Sequence, residues 1–205
     1  SSSEFPNLKQ YLIGHSMGSW IALGAMQKGI DIDCCILSGS SKISKNLITL
    51  QRIIVTFLIT FFGKKSIGYL LDRVILGEYN KSFSPNRTPK DWISSDKQSV
   101  DEYINDPLCG YPVTNGLWND LLSGFLRVFD KRNYKISKNI PILIISGSHD
   151  PVGDNTKGTK KLYKFLSTIF DNIEIELINN ARHEVFNEIN KENNYNKLLN
   201  FIEKT

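Results

Sequence analysis

Residues 14–18 of the chain read GHSMG. They directly follow the apolar run YLI at 11–13 and precede residues of helical composition. A G-x-S-x-G turn between a strand and a helix has the form of a nucleophile elbow, which strains a serine and exposes its Oγ above a sheet. Gly14 and Gly18 are expected where a side chain would collide with the neighbouring strand and helix. The pattern predicts Ser16 as a nucleophile and the Met17 N–H as one oxyanion-hole donor; a turn of small residues is the alternative.

An elbow serine requires an acid behind a later strand. Residues 140–147 (IPILIISG) are apolar and β-branched, as expected of a buried parallel strand, and Asp150 follows shortly after. The carboxyl ends of parallel strands carry functional groups in α/β sheets, so Asp150 is the candidate acid. Alternatively, Asp150 forms an Asp-Pro turn ahead of a helix predicted over Thr156–Ser167.

A histidine is expected after the last strand, and the chain contains three. His15 lies inside the elbow, and His149 adjoins the acid and is expected to point away from it. His183 lies on a polar loop behind Ile173–Ile178, whose alternating pattern predicts a half-exposed edge strand. The predicted triad is therefore Ser16, Asp150 and His183, with His183 as the base and Asp150 orienting its ring.

Composition excludes several other functions. With 205 residues, 40% of them hydrophobic and 22% charged, the chain has an ordinary globular composition. Its net charge of +4, from 25 basic and 21 acidic residues, is dispersed, which argues against nucleic-acid binding. Cys34, Cys35 and Cys109 have no metal-ligand spacing, and Cys34 and Cys35 are predicted core residues on opposite faces of a strand. We expect no cofactor, no metal and a reducing compartment, the cytoplasm.

The chain divides into three parts. Residues 1–40 hold the elbow on part of a core sheet, with strands predicted at 10–14 and 33–38 around a helix at 17–29, after a flexible start at 1–3. Residues 41–130 form a helical cap insertion that ends in a return helix, Leu117–Phe129. Residues 131–205 add strands at 140–146 and 173–178, the acid, the histidine and a closing helix, Asn196–Glu203.

The cap opens with a long apolar run, Asn46–Phe62, interrupted by Gln51 and Arg52. Its uninterrupted part is about ten residues long, whereas a membrane span needs about twenty. Three interpretations remain open: a cap helix that lines an acyl pocket, simple core packing, or an interfacial helix in transient contact with a lipid surface.

At these residues the chain resembles the α/β-hydrolase superfamily, and within it the bacterial branch of lysophospholipases, monoacylglycerol lipases and serine aminopeptidase-like proteins. The resemblance rests on residues 14–19 (GHSMGS), 92–96 (WISSD), 106–110 (DPLCG), 146–153 (SGSHDPVG) and 181–188 (ARHEVFNE). It implies an α/β-hydrolase fold with a mostly parallel sheet and a cap, and Ser16, Asp150 and His183 as nucleophile, acid and base.

The chain departs from that family ahead of the elbow. Family members have several strands there, and an early His-Gly loop supplies the second oxyanion N–H, but only fifteen residues precede Ser16 here. We therefore expect the strand around Tyr11–Ile13 to present a bare edge, and the half-sheet to be unstable alone. The chain is then a piece of a longer or cleaved protein, the partner of a separate N-terminal chain, or a truncated product.

Three functions follow. The leading one is a serine hydrolase that forms an acyl-enzyme on lysophospholipid or monoacylglycerol esters. The second is a serine aminopeptidase, which requires a cap carboxylate for the substrate amine; the candidates are Glu78, Asp91, Asp96, Asp101, Glu102 and Asp106. The third is a non-catalytic fragment or scaffold that lacks the oxyanion loop.

Overall fold

A computed structural model describes residues 4–5 and 7–205. Its centre is a four-stranded parallel sheet in the order β1-β2-β3-β4, and the strands are Tyr11–His15, Cys34–Ser38, Ile142–Gly147 and Ile173–Ile178. The chain therefore has the expected α/β fold, with the carboxyl ends of all four strands at one edge. The flexible start predicted at 1–3 lies outside the described residues.

Seven α-helices connect or follow these strands in the described part of the chain. They are α1 Met17–Gln27, α2 Lys45–Phe62, α3 Tyr69–Lys81, α4 Lys97–Asn105, α5 Asn115–Val128, α6 Lys157–Leu166 and α7 Lys191–Glu203. α7 begins five residues before the predicted start at Asn196. Its first turns are held by Asn194, whose buried amide donates to the Val185 carbonyl at 2.6 Å.

The two central strands form the core. All five residues of β2 and all six of β3 are buried, as expected for strands covered on both faces. Cys34 packs with the cluster beneath α7, whereas Cys35 packs with the larger cluster on the opposite face. The prediction of two core cysteines on opposite sides of a strand is confirmed.

The sheet ends at β1 and β4. Within the described residues β1 pairs with β2 alone, and its side chains Tyr11 and Ile13 are 37% and 52% exposed. The bare edge expected at Tyr11–Ile13 is therefore present. β4 is the other edge, in agreement with its alternating sequence.

Four helices, α2 to α5, lie between β2 and β3. α5 occupies nearly the range predicted for the return helix, and it packs against both α1 and α2. Within α2 only Ile48 and Val55 are buried, and Leu58 and Ile59 pack partly buried against the core, so core packing accounts for one side of this apolar run. The helices α3 and α4 had no counterpart in the sequence prediction; Leu71 and Val100 are the hydrophobic residues that they bury.

Candidate active site

The turn between β1 and α1 has the backbone of a strained elbow. Ser16 has φ 52° and ψ −122°, a conformation that residues with a side chain rarely adopt. A Cβ at Gly14 would lie 2.5 Å from the Gly18 carbonyl oxygen, so only glycine allows β1 and α1 to approach this closely. The expectation for Gly18 was wrong, because no described atom outside its chain neighbours and its own helix backbone lies within 4 Å of the position its Cβ would take.

Hydrogen bonds hold this turn against β2. The Ser16 N–H donates to the Ser38 carbonyl at 2.9 Å. The Ser19 hydroxyl donates to the Ser16 carbonyl at 2.5 Å, and its oxygen can then accept from the Ser40 hydroxyl 2.7 Å away. Met17 is the first residue of α1, so its N–H has no acceptor within the helix. That N–H is available to a negatively charged oxygen next to Ser16.

Asp150 and His183 form a buried pair behind the ends of β3 and β4. The His183 Nδ1 lies 3.0 Å from the Asp150 Oδ1, and the two residues are 3% and 0% exposed. Asp150 also accepts the Val152 N–H at 2.9 Å and the Ser146 hydroxyl at 3.1 Å. An ionised carboxylate only accepts, so the Nδ1 carries the proton and the Nε2 is left as a base.

Burial acts to raise the pKa of Asp150, but the charge of His183 and the three hydrogen bonds outweigh it and hold the pKa below its ordinary value. The carboxyl group is therefore ionised at neutral pH, as an orienting acid must be.

Ser16 follows His15, whose ring contacts this pair. The His15 ring packs on the His183 ring with their centroids 4.8 Å apart. Gly39, with φ 58°, allows this packing, because a Cβ there would lie 2.9 Å from His183 Cε1 and 3.0 Å from His15 Cε1. Among residues 4–5 and 7–205, no hydrogen bond joins the Ser16 Oγ to His183. The structure thus brings Asp150 and His183 together and leaves Ser16 adjacent.

The other two histidines are in different surroundings. His149 is exposed, and its backbone N–H bonds to the Ala181 carbonyl at 2.9 Å. His15 is an exposed residue at the end of β1, although its ring packs on His183, and its Nδ1 lies 3.2 Å from the Ser38 hydroxyl. Desolvation of the His15 ring, with a smaller contribution from His183, lowers its pKa to about 4, so its imidazole is neutral near neutral pH.

The histidine loop is fixed to the end of β3 and to residues 91–95, in the long segment between β2 and β3. A Cβ at Gly147 would lie 2.0 Å from the Arg182 carbonyl oxygen, so the loop crosses directly over a glycine. The buried Glu188 carboxylate accepts the Arg182 N–H at 2.6 Å, the Ser95 N–H at 3.1 Å and the Ser95 hydroxyl. The residues on either side of His183 are thereby joined to the segment 91–95, and the Glu184 N–H adds a 2.8 Å bond to the Ile93 carbonyl.

Trp92 contacts His183 directly, a role that the sequence did not reveal although its motif stood out. The Trp92 and His183 ring centroids are 5.1 Å apart, and Trp92 also contacts Tyr79 of α3 at 5.2 Å. Trp92 is 7% exposed, and its indole N–H has no acceptor among the described residues. The tryptophan forms one wall of the histidine's pocket.

The carboxylates considered for binding a substrate amine already have partners nearby. All six lie between the last turn of α3 and the end of α4: Glu78, Asp91, Asp96, Asp101, Glu102 and Asp106. Asp91 accepts the N–H groups of residues 87 and 88, and Asp101 pairs with the Arg87 guanidinium at 2.6 Å. Of the remaining four, Asp96 accepts an N–H at the start of α4 and Asp106 accepts one in the turn that follows it. Glu78 and Glu102 each pair with a side chain one helical turn away.

Two cavities lie near the ends of the sheet. One of about 140 Å³ is lined by His15 and residues 184–187, beside the proposed nucleophile. A larger, more open one of about 530 Å³ lies between residues 29–33 and 135–141, at the opposite ends of the strands. Ligand sites of α/β sheets lie at the carboxyl ends, so the smaller cavity is the relevant one. The described residues contain no group of His, Cys, Asp and Glu that could hold a metal ion.

Comparisons with known proteins agree with this fold. The family described as "Serine aminopeptidase, S33" matches residues 1–190. A thermostable carboxyl esterase from Bacillus coagulans superposes with a TM-score of 0.87 at 24% identity, over 99% of this chain and 67% of its own. The monoglyceride lipase of Saccharomyces cerevisiae gives 0.71 at 19% identity, over 99% of this chain and 64% of its own.

A monoacylglycerol lipase from Paleococcus ferrophilus gives a TM-score of 0.65 at 17% identity, over 98% of this chain and 71% of its own. The chain thus spans about two thirds of the length of these structures, and the likeness concerns the fold. No curated protein matches the sequence significantly.

Proposed function

The chain belongs to the serine aminopeptidase family of α/β hydrolases, and from this premise we propose that it is a serine hydrolase that cleaves carboxylic esters with one acyl chain, of the monoacylglycerol or lysophospholipid type. The observation that carries the proposal is the buried Asp150–His183 pair, 3.0 Å from Nδ1 to Oδ1, in contact with His15, the residue before the strained Ser16.

The proposed reaction uses these groups in sequence. The His183 Nε2 accepts the Ser16 hydroxyl proton as Oγ attacks the ester carbonyl carbon, and Asp150 stabilises the imidazolium that forms. The Met17 N–H donates to the oxyanion. His183 then protonates the leaving alcohol, and a water that gives its proton to His183 attacks the acyl-enzyme, releasing the acid and restoring Ser16.

Two observations favour esters over peptides. An aminopeptidase needs a free carboxylate for the substrate's α-amine, but the six cap candidates already accept hydrogen bonds or ion pairs nearby. The cap also presents a long apolar helix, α2, which suits an acyl chain better than a charged peptide. The structures it resembles include a carboxyl esterase and two monoglyceride lipases by their own descriptions.

The description of the matched family keeps peptidase activity as the second candidate. The test compares a monoacylglycerol, a lysophospholipid and an aminoacyl-naphthylamide at equal concentration, each with the wild type and with Ser16→Ala. We expect turnover of the two esters and none of the amide, and loss of turnover in Ser16→Ala at an unchanged melting temperature. Faster turnover of the naphthylamide would establish the peptidase, and turnover that survives Ser16→Ala would exclude the triad.

A folded protein that turns over none of the three substrates would favour the scaffold. A single oxyanion donor, the Met17 N–H, would not by itself give that result. Loss of a single donor costs about 10²–10³ in rate, which leaves a slow enzyme with measurable turnover.

A further inference from the structure

One side of α2 exposes an apolar surface that nothing in the described part of the chain covers. Six large side chains, spaced mainly three or four residues apart, are between 46% and 66% exposed: Leu47, Leu50, Ile53, Phe57, Phe61 and Phe62. The surface continues beyond the helix, where Ile67, Tyr69 and Leu70 are 41%, 67% and 54% exposed. Soluble proteins rarely expose a continuous apolar patch of this extent unless it binds something. We call these nine residues the α2 surface.

Two threonine hydroxyls on α2 do not require water. The Thr49 and Thr60 hydroxyls each donate at 2.9 Å to a carbonyl one turn earlier, Lys45 and Thr56 respectively. Hydroxyls satisfied by the helix itself can enter a medium without hydrogen-bonding partners at little cost.

The segment that forms the α2 surface carries charge of one sign, and the nearest acidic groups lie at its borders, at Asp72 and at Asp130, which interacts with Lys45. Between Lys42 and Leu71 the sequence has five lysines and arginines and no aspartate or glutamate. Lys45 is exposed at the start of α2, and Lys64 and Lys65 are exposed just beyond its end. Lys64 and Lys65 make no ion pair with any residue in the described ranges. An apolar face with cations at both ends is complementary to an anionic lipid interface.

We propose that the α2 surface docks the protein on the surface of an anionic lipid membrane, with α2 lying in the plane of the interface. Docking depends on this surface alone; that it delivers an acyl substrate rests on the proposed function. α3 connects the α2 surface to the candidate active site. Tyr69 lies at the exposed start of α3, and Tyr79 lies ten residues, or about 15 Å, further along the helix. Tyr79 contacts Trp92, which in turn contacts His183.

Two alternatives to docking in the plane of the membrane, a membrane-spanning α2 and a dimer formed through the α2 surface, fit the structure less well. α2 is long and apolar enough to cross a membrane, with a mean hydropathy of 1.4 over 18 residues. A span would have to strip Ile48 and Val55 from the protein core and bury Arg52 in lipid, which is costly. A second copy on the same surface would bring like-charged lysines together and leave them unpaired.

Vesicle flotation tests the proposal on the purified protein. We expect the wild type to float with vesicles of phosphatidylcholine and phosphatidylglycerol, much less with phosphatidylcholine alone, and less at high salt. Phe57→Ser/Phe61→Ser should reduce partitioning at least about tenfold, and Lys64→Ala/Lys65→Ala about fivefold per lysine. Leu108→Ser, which removes an 80% exposed leucine elsewhere in the cap, is the matched control and should bind as the wild type does.

Several results would overturn the docking surface. The first is that the wild type does not float with anionic vesicles. The second is that Phe57→Ser/Phe61→Ser floats as the wild type does while circular dichroism shows it to be folded. The third is that the wild type does not bind vesicles but forms a dimer, and that Phe57→Ser/Phe61→Ser abolishes this dimer. Resistance to extraction by alkaline carbonate would indicate a span instead.

Ser16→Ala separates this test from that of the proposed function, because it should bind vesicles as the wild type does. Normal flotation without ester turnover would contradict only the proposed function, and turnover without flotation would contradict only the docking.

Discussion

At the scale of single residues, the site depends on where protons can reside. Asp150 is held ionised by its hydrogen bonds, which fixes the proton of His183 on Nδ1 and leaves Nε2 free. His15 packs on the same ring but its own pKa is lowered to about 4, so it adds no competing positive charge near neutral pH. Three histidines therefore have three distinct roles, of which only that of His183 is catalytic in our account.

His183→Asn should lower kcat/KM for the ester by at least about 10⁴-fold, because no group then takes the Ser16 proton. His149→Asn is the matched control: His149 is exposed one residue before the acid, and its replacement should change the rate by less than about threefold. Steady-state kinetics of both variants decide the assignment. The reverse ranking would make His149 the base.

His15 should produce a pH dependence of stability. Its pKa is about 4 in the folded protein against 6.5 unperturbed, so between these values the unfolded chain binds a proton that the folded protein does not. The contribution of His15 to stability is therefore lost as the pH falls from 6.5 towards 4. We expect His15→Gln to flatten the fall in urea midpoint between pH 6.5 and 4.5. An NMR titration of His15 with a midpoint near 6.5 would contradict this expectation.

At the scale of elements, the site is a junction between loops. The histidine loop rests on the end of β3 at Gly147, and Glu188 binds it to the cap at Ser95. The Glu188 carboxylate binds both Arg182, the residue before His183, and Ser95. The position of His183 and that of the segment around Ser95 therefore depend on each other.

Glu188→Gln should therefore affect both stability and catalysis. The amide places N–H donors against the N–H groups of Arg182 and Ser95, which leaves buried donors unsatisfied at about 1–3 kcal/mol. At roughly 2–4 °C per kcal/mol, the melting temperature should fall by several degrees, and kcat/KM should fall with it. Glu192→Gln, exposed in the first turn of α7, is the control. Equal melting curves and rates for the two variants would show that Glu188 holds nothing in place.

At the scale of the whole molecule, what the sequence could predict was local. The strands, the elbow and the loop behind β4 are each specified by residues within a few positions of one another, and they appear within one or two residues of the expected bounds. The contacts of Trp92 and Glu188 join residues about ninety positions apart, and no short-range pattern records such a contact. The exposure of α2 is also non-local, because α5 decides which of its faces is covered.

The free edge of β1 is also a property of the whole molecule, because it depends on what else pairs with the sheet. Tyr11 and Ile13 remain exposed beside unpaired backbone groups, and Gly18 borders open space among the described residues. We propose that a further strand, from another segment or another chain, pairs there and completes the sheet.

Covalent labelling tests the central claim, that Ser16 is activated by His183 and Asp150, most directly. The purified protein is treated with a fluorophosphonate, and the intact mass and the modified peptide are measured for the wild type, His183→Asn and His149→Asn. We predict one adduct, on Ser16, at similar rates in the wild type and His149→Asn and strongly slowed in His183→Asn. No adduct on folded wild-type protein, or an adduct on any residue other than Ser16, would contradict the account.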